Sequence, residues 1–149
     1  MATKSSSTKS GFSDAEKAAM KERAKELKAE ARAGDRRAKG EAAIREALAE
    51  MPDADRALAE RIHEIVTTAA PQLFPKTWYG MPAWTTDDNK VVCFLKVASK
   101  FETRYATLGF EDAAAIDDGS MWPTSYAITK LTRDGERQVR ELVTRAVGG

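Results

Sequence analysis

Few side chains in this sequence have the types and spacing to do chemistry, and most of those are aromatic. The densest group is Trp78-Tyr79-Gly80-Met81-Pro82-Ala83-Trp84, in a chain of 149 residues that is only 7% aromatic. Rings with a Met and a few polar groups make the kind of apolar pocket that grips a small ligand or a peptide. Tyr105 and Trp122, with Arg104 as a polar group, fall in later segments that can lie beside this one. The candidate binding set is therefore Tyr79, Gly80, Met81, Pro82, Trp84, Arg104, Tyr105 and Trp122. Side chains alternate along a strand, so Trp78 and Trp84 share one side while Tyr79 and Met81 share the other. A single pocket then requires a bulge at Pro82, which would leave a hollow beside the sheet. The competing reading of the same rings is core packing, because buried Trp and Tyr fill cores while each finds one hydrogen-bond partner.

The remaining reactive groups point away from catalysis. His63 is the only histidine and sits beside Ile62 at the edge of an apolar helical stripe, which suits a packing or surface role. A general base would need a partner within hydrogen-bond reach. Cys93 alternates with Val91, Leu95 and Val97, the pattern of a buried, inert thiol. Gly80 belongs to no phosphate-binding loop, since neither G-x-G-x-x-G nor a Walker pattern is present. With no nucleophile–base pair and no strong metal motif, the expectation is a binding protein and no enzyme.

These residues must be positioned by the elements around them. Ser13-Asp14-Ala15-Glu16 matches a capping box and opens a helix to about Arg32, built mostly of strong helix formers. The run 33–40, with Gly34, Gly40 and a cluster of charges, reads as a linker. A second helix covers Glu41 to Glu50, with Ile44, Leu48 and Met51 on one face, and Pro52 closes it. Asp53 is the expected cap of a third, strongly amphipathic helix that runs to about Pro71. Strands are expected at Thr77–Thr86, Val91–Ala98, Thr103–Phe110 and Met121–Thr129, with a short helix at Glu111–Ile116. Apolar residues on both sides of Val91–Ala98 mark a central strand. Thr132 should cap a final helix that buries Val139, Leu142, Val143 and Ala146. The order implies α+β: a four-stranded, mainly antiparallel sheet with helices packed against it, plus an N-terminal helical extension.

Composition sets the outer limits. The net charge of +1 hides an asymmetry: residues 1–40 hold 11 Lys and Arg against 6 Asp and Glu, and residues 41–149 hold 13 against 17. The expected division is a disordered tail over 1–12, a basic helix and linker over 13–40, and an α+β domain over 41–149. The basic arm offers nucleic-acid contact as an alternative, although interspersed Glu16, Glu22, Glu26 and Glu30 make a solvated helix the favoured reading. One cysteine implies a reducing compartment, and no apolar run approaches the ~18–20 residues of a membrane span. A cytoplasmic protein is expected, with no membrane partner.

Tyr79-Gly80-Met81-Pro82-Ala83-Trp84, followed by Lys90-Val91-Val92-Cys93-Phe94 and a third strand, resembles the YdhG-like family of small bacterial domains. The likeness covers about residues 41–147 and leaves the basic helix outside. It implies a small domain whose ligand or protein partner is unknown. Some members of the family are described as frataxin-like iron chaperones, so the resemblance also implies an alternative role in carrying Fe(II). Carboxylates in an open, weak site would suit that ion. Glu111, Asp112, Asp117 and Asp118 are the metal candidates, with solvated turn residues as the competing reading.

Overall fold

The structure is a computed structural model and describes residues 13–149. The tail expected over residues 1–12 lies outside the described residues, apart from which the chain divides into a unit ending at Asp35 and a unit spanning Arg36–Gly149.

In the first unit, Ser13 and Glu16 make the expected reciprocal cap. The Ser13 amide donates to the Glu16 carboxylate and the Glu16 amide donates to the Ser13 hydroxyl, each at 3.2 Å. Those bonds to Ser13 hold the Glu16 carboxyl below its ordinary pKa. The helix they open, α1, runs Asp14–Ala49 without interruption, so the expected linker over 33–40 is helical. Gly34 sits among strong helix formers, and a single glycine costs too little to break such a run.

In the second unit, the other supposed linker residues make docking contacts. A Cβ on Gly40 would stand 1.8 Å from the carbonyl oxygen of Pro75, so only glycine lets α1 approach the backbone there. Arg36 donates to the carbonyls of Asp87 and Thr86 and to the Thr85 hydroxyl. Arg37 donates to the Leu73 carbonyl. Both guanidinium groups lie 4.1 Å from the centre of the Phe74 ring. After Pro52, helix α2 spans Asp53–Ala69 and buries Ala59, Ile62, Ile65 and Val66. Its N-cap is Pro52, with no side-chain cap bond; Asp53, the expected cap, pairs with Arg56 instead.

The sheet has five strands, not four: β1 (Phe74–Trp78), β2 (Met81–Thr85), β3 (Val91–Lys96), β4 (Ala106–Phe110) and β5 (Ser125–Ile128). Their spatial order is their chain order, and every neighbouring pair is antiparallel. The fifth strand comes from the aromatic stretch, which the sequence reading takes as one bent strand. It is a hairpin. Tyr79 (φ 52°) and Gly80 (φ 76°) form a two-residue turn between the paired Trp78 and Met81. Two positive φ values make a type I′ turn, whose twist matches that of the flanking strands. Pro82 is not the bend: it lies within β2, opposite Thr77. The register slip in β2 is further on, between Trp84 and Thr85.

Pairing separates the two faces. Pro75, Trp84, Cys93 and Phe110 form one cross-strand row, and Leu95, Leu108 and Tyr126 the next. These face the helices: Trp84, Cys93, Leu95 and Leu108 share one core with Ile44, Ile62, Val66 and Val143. Helix α3 (Arg133–Ala146) contributes Val139, Val143 and Ala146, and Thr132 caps it by accepting from the Gly135 amide at 3.0 Å. The short helix expected at Glu111–Ile116 is absent. That segment makes one turn, then hangs on α3 through the Ala115 amide to the Ala146 carbonyl and Arg145 to the Ile116 carbonyl. Burying Ala114 and Ile116 in an extended path evidently outweighs local helix propensity. Among the described residues, no helix is long and apolar enough to cross a membrane.

Candidate functional site

The candidate binding residues do not converge. Trp84 is fully buried against the helices, where its ring stacks on His63 with centroids 5.9 Å apart. Pro82 is also buried. Tyr79 stands at the tip of the hairpin, 82% exposed, with Gly80 beside it and Met81 half-buried. Arg104 lies 5.3 Å from the Tyr105 ring centre, and both line a separate cavity of about 370 Å³ beside Leu58 and Arg61. Trp122 is half-buried against the core. The hollow expected at a proline bulge is replaced by regular pairing between β1 and β2.

The hairpin instead opens an aromatic surface on the sheet face turned away from the core. Lys76, Ala83, Phe94, Gly109 and Ser125 form one cross-strand row on that face. Trp78 pairs with Met81, and Lys96 pairs with Thr107, which pairs with Ala127. The Trp78 ring meets both Tyr79 and Phe94 edge-on, each at 5.2 Å between centroids. The Phe94 ring occupies the space above Gly109, where a Cβ would come within 2.2 Å of it. Lys96 and Lys100 approach the half-open Phe101 ring at 4.9 and 5.8 Å, and Lys100 also donates to the Gly80 carbonyl. None of the strand residues on this face is acidic. The sequence reading missed Phe94, Lys76, Lys96 and Lys100. Their signal was parity: Lys76 with Trp78 and Phe94 with Lys96 each recur at the two-residue spacing of one strand face.

The second concavity is a groove of about 960 Å³ between the Arg36–Ala49 part of α1 and helix α2. Arg37, Arg45, Arg56, Glu60 and His63 line it over a floor that includes Leu48, Leu73 and Pro75. His63 is fully engaged there. The Trp84 indole N–H can only donate, and it lies 3.1 Å from His63 Nδ1, so that nitrogen accepts. The ring proton is thereby assigned to Nε2, which donates to the Glu41 carboxylate at 2.7 Å. Glu41 also pairs with Arg45 at 3.3 Å. A histidine with both nitrogens bonded ties α1, α2 and β2 together and leaves no free nitrogen for a proton transfer. Cys93 is fully buried, and desolvation pushes its thiol up to about 12, well away from the reactive thiolate.

The metal candidates Glu111, Asp112, Asp117 and Asp118 are all exposed along the loop between β4 and β5. Among the described residues, no group of three or more His, Cys, Asp or Glu side chains gathers in a way that could hold a metal ion. Compared with family models, curated proteins and solved structures, the chain matches none.

Proposed function

We propose that this chain is a binding module, not an enzyme, that holds a small ligand or a partner segment on the open sheet face beside the Tyr79–Gly80 hairpin. The edge-to-face contact of Trp78 with Tyr79 and Phe94 is the observation that supports it. Aromatic side chains left half-open together mark recognition surfaces more often than isolated apolar residues do. The type I′ turn adds support, because it fixes the presenting strands at low conformational freedom. The Tyr79–Trp84 motif remains the basis for a YdhG-like reading, with its Tyr-Gly pair serving as the turn. A reducing, cytoplasmic setting fits a single, buried cysteine. Fe(II) carriage and nucleic-acid contact through the basic helix draw less support: the candidate carboxylates are spread along a loop, and the helix mixes both charge signs.

The test is amide chemical-shift mapping of the full chain against a panel of aromatic, anionic and peptide probes. Shifts should gather at Trp78–Met81, Phe94–Lys96 and Thr107. Shifts gathered instead at Arg45, His63 and Thr67 would move the site to the helical groove and refute the open-face reading.

A further inference from the structure

We infer that the open sheet face is a platform for single-stranded nucleic acid, an assignment that rests on the open-face reading above. Two features coincide there. The first is a set of rings, Trp78, Tyr79 and Phe94, whose exposed parts can take flat partners. Base–aromatic stacking tolerates any sequence, because every base has a π-face. The second is unneutralised positive charge. Lys76, Lys96 and Lys100 form no ion pair among the described residues, although Lys76 donates to Asn89 Oδ1 at 3.4 Å in the turn that also holds Asp87 and Asp88, and the strand positions around them carry no carboxylate. An ammonium is a compact point charge that can bind a phosphate.

Geometry selects the strandedness and the class of polymer. A duplex hides its base faces within the stack, so rings that hold bases by stacking select a single strand. Peptides that add to sheets bind along an edge, where backbone groups are unpaired. Here the rings and ammonium groups stand on a face over β1 to β3, and Phe94 and Lys96 lie on β3, which is paired on both sides, while β1 is an edge strand. Lys100 also donates to the Gly80 carbonyl at 3.2 Å, which keeps a positive charge at the Tyr79–Gly80 turn.

The test is fluorescence anisotropy of a labelled oligodeoxythymidylate of about 12 nucleotides with the full chain, within the range a single binding fold covers. Tyr79→Asn removes one ring and keeps a residue that accepts the left-handed turn; Phe94→Leu removes a second. Each should weaken binding roughly five- to a hundred-fold, with an unchanged circular dichroism spectrum. Replacing Lys76, Lys96 and Lys100 by Gln should flatten the log–log salt dependence by about 2, since roughly 0.7 is lost per phosphate contact on a single strand. That difference holds whatever the basic α1 arm adds to total affinity. Binding unaffected by the ring replacements, or a matched duplex bound as tightly, would overturn the assignment. Ring-dependent capture of an acidic Tyr-containing peptide in place of the oligonucleotide would overturn it too, while leaving the open-face reading intact. If neither binds and no amide on this face shifts, both readings fall.

Discussion

Gly34 and Gly40 belong to one helix and have opposite reasons to be glycine. No heavy atom lies within 4 Å of a Cβ placed on Gly34, whereas one on Gly40 would strike the Pro75 carbonyl. Gly34→Ala should therefore stabilise the helix by roughly 0.5–1 kcal/mol, seen as higher helicity by circular dichroism. Gly40→Ala should destabilise by about 3 kcal/mol, the upper end for overpacking, because the atom it meets is backbone and cannot rotate aside. Urea denaturation of the two variants would measure both signs. Trp84→Phe tests the bridge through His63: it leaves Nδ1 without its donor in a largely buried site, at a cost of about 1–3 kcal/mol in the same assay. Cys93 gives a probe with no mutation at all. Its buried thiol should resist alkylation in the native chain and react at once in denaturant.

At the scale of elements, the hairpin decides how the sheet is built. Gly80→Ala should cost roughly 1–2 kcal/mol, because φ of 76° strains any L side chain and the new Cβ would stand 2.3 Å from Lys100 Nζ. Tyr79→Asn should leave thermal stability level or slightly raised, since Asn is favoured at this position of a type I′ turn. The hairpin also explains what was legible beforehand. Caps with a local signature, Ser13 with Glu16 and Thr132 with Gly135, were readable, as were the central β3 and the buried stripes of α2 and α3. These depend on residues a few positions apart. Tyr-Gly is a weaker turn signal than Asn-Gly, and Pro82 is the stronger local marker of a bend, so the two strands read as one. Gly40 misled for the opposite reason: its purpose is the contact with Pro75, and spacing along the chain does not reveal that. The candidate site was half legible. The aromatic cluster was found, but its division between core and open face depended on where the chain reversed, and the lysines emerged only once the strand pairing was known.

Across the whole molecule, α2 and α3 are joined by Arg61, which bonds Glu136 at 2.7 Å and Glu64 on its own helix. The Arg61 hydrogen bond holds the Glu136 carboxyl below its ordinary 4.5, and Glu136 in turn raises the Arg61 guanidinium. A carboxylate with a depressed folded pKa stabilises above its unfolded value and loses that contribution as pH falls through the folded one. Glu136→Gln should thus lower the melting temperature at pH 7, and its gap from the parent chain should close as acid is added below about pH 4.5. A pH series of thermal melts reads this directly. The strand order carries a further consequence for how the protein is made. Because each strand pairs with the one translated just before it, every ladder can close as soon as its second strand leaves the ribosome. Helix α3 follows β5, so Leu95 and Leu108 stay without the cover of Val139 and Val143 until translation has passed Ala146. A pause in elongation after Ile128 would leave a nascent chain with a complete sheet whose apolar side is covered only in part, by Ile44, Ile62 and Val66, the state in which a holdase would have most to bind.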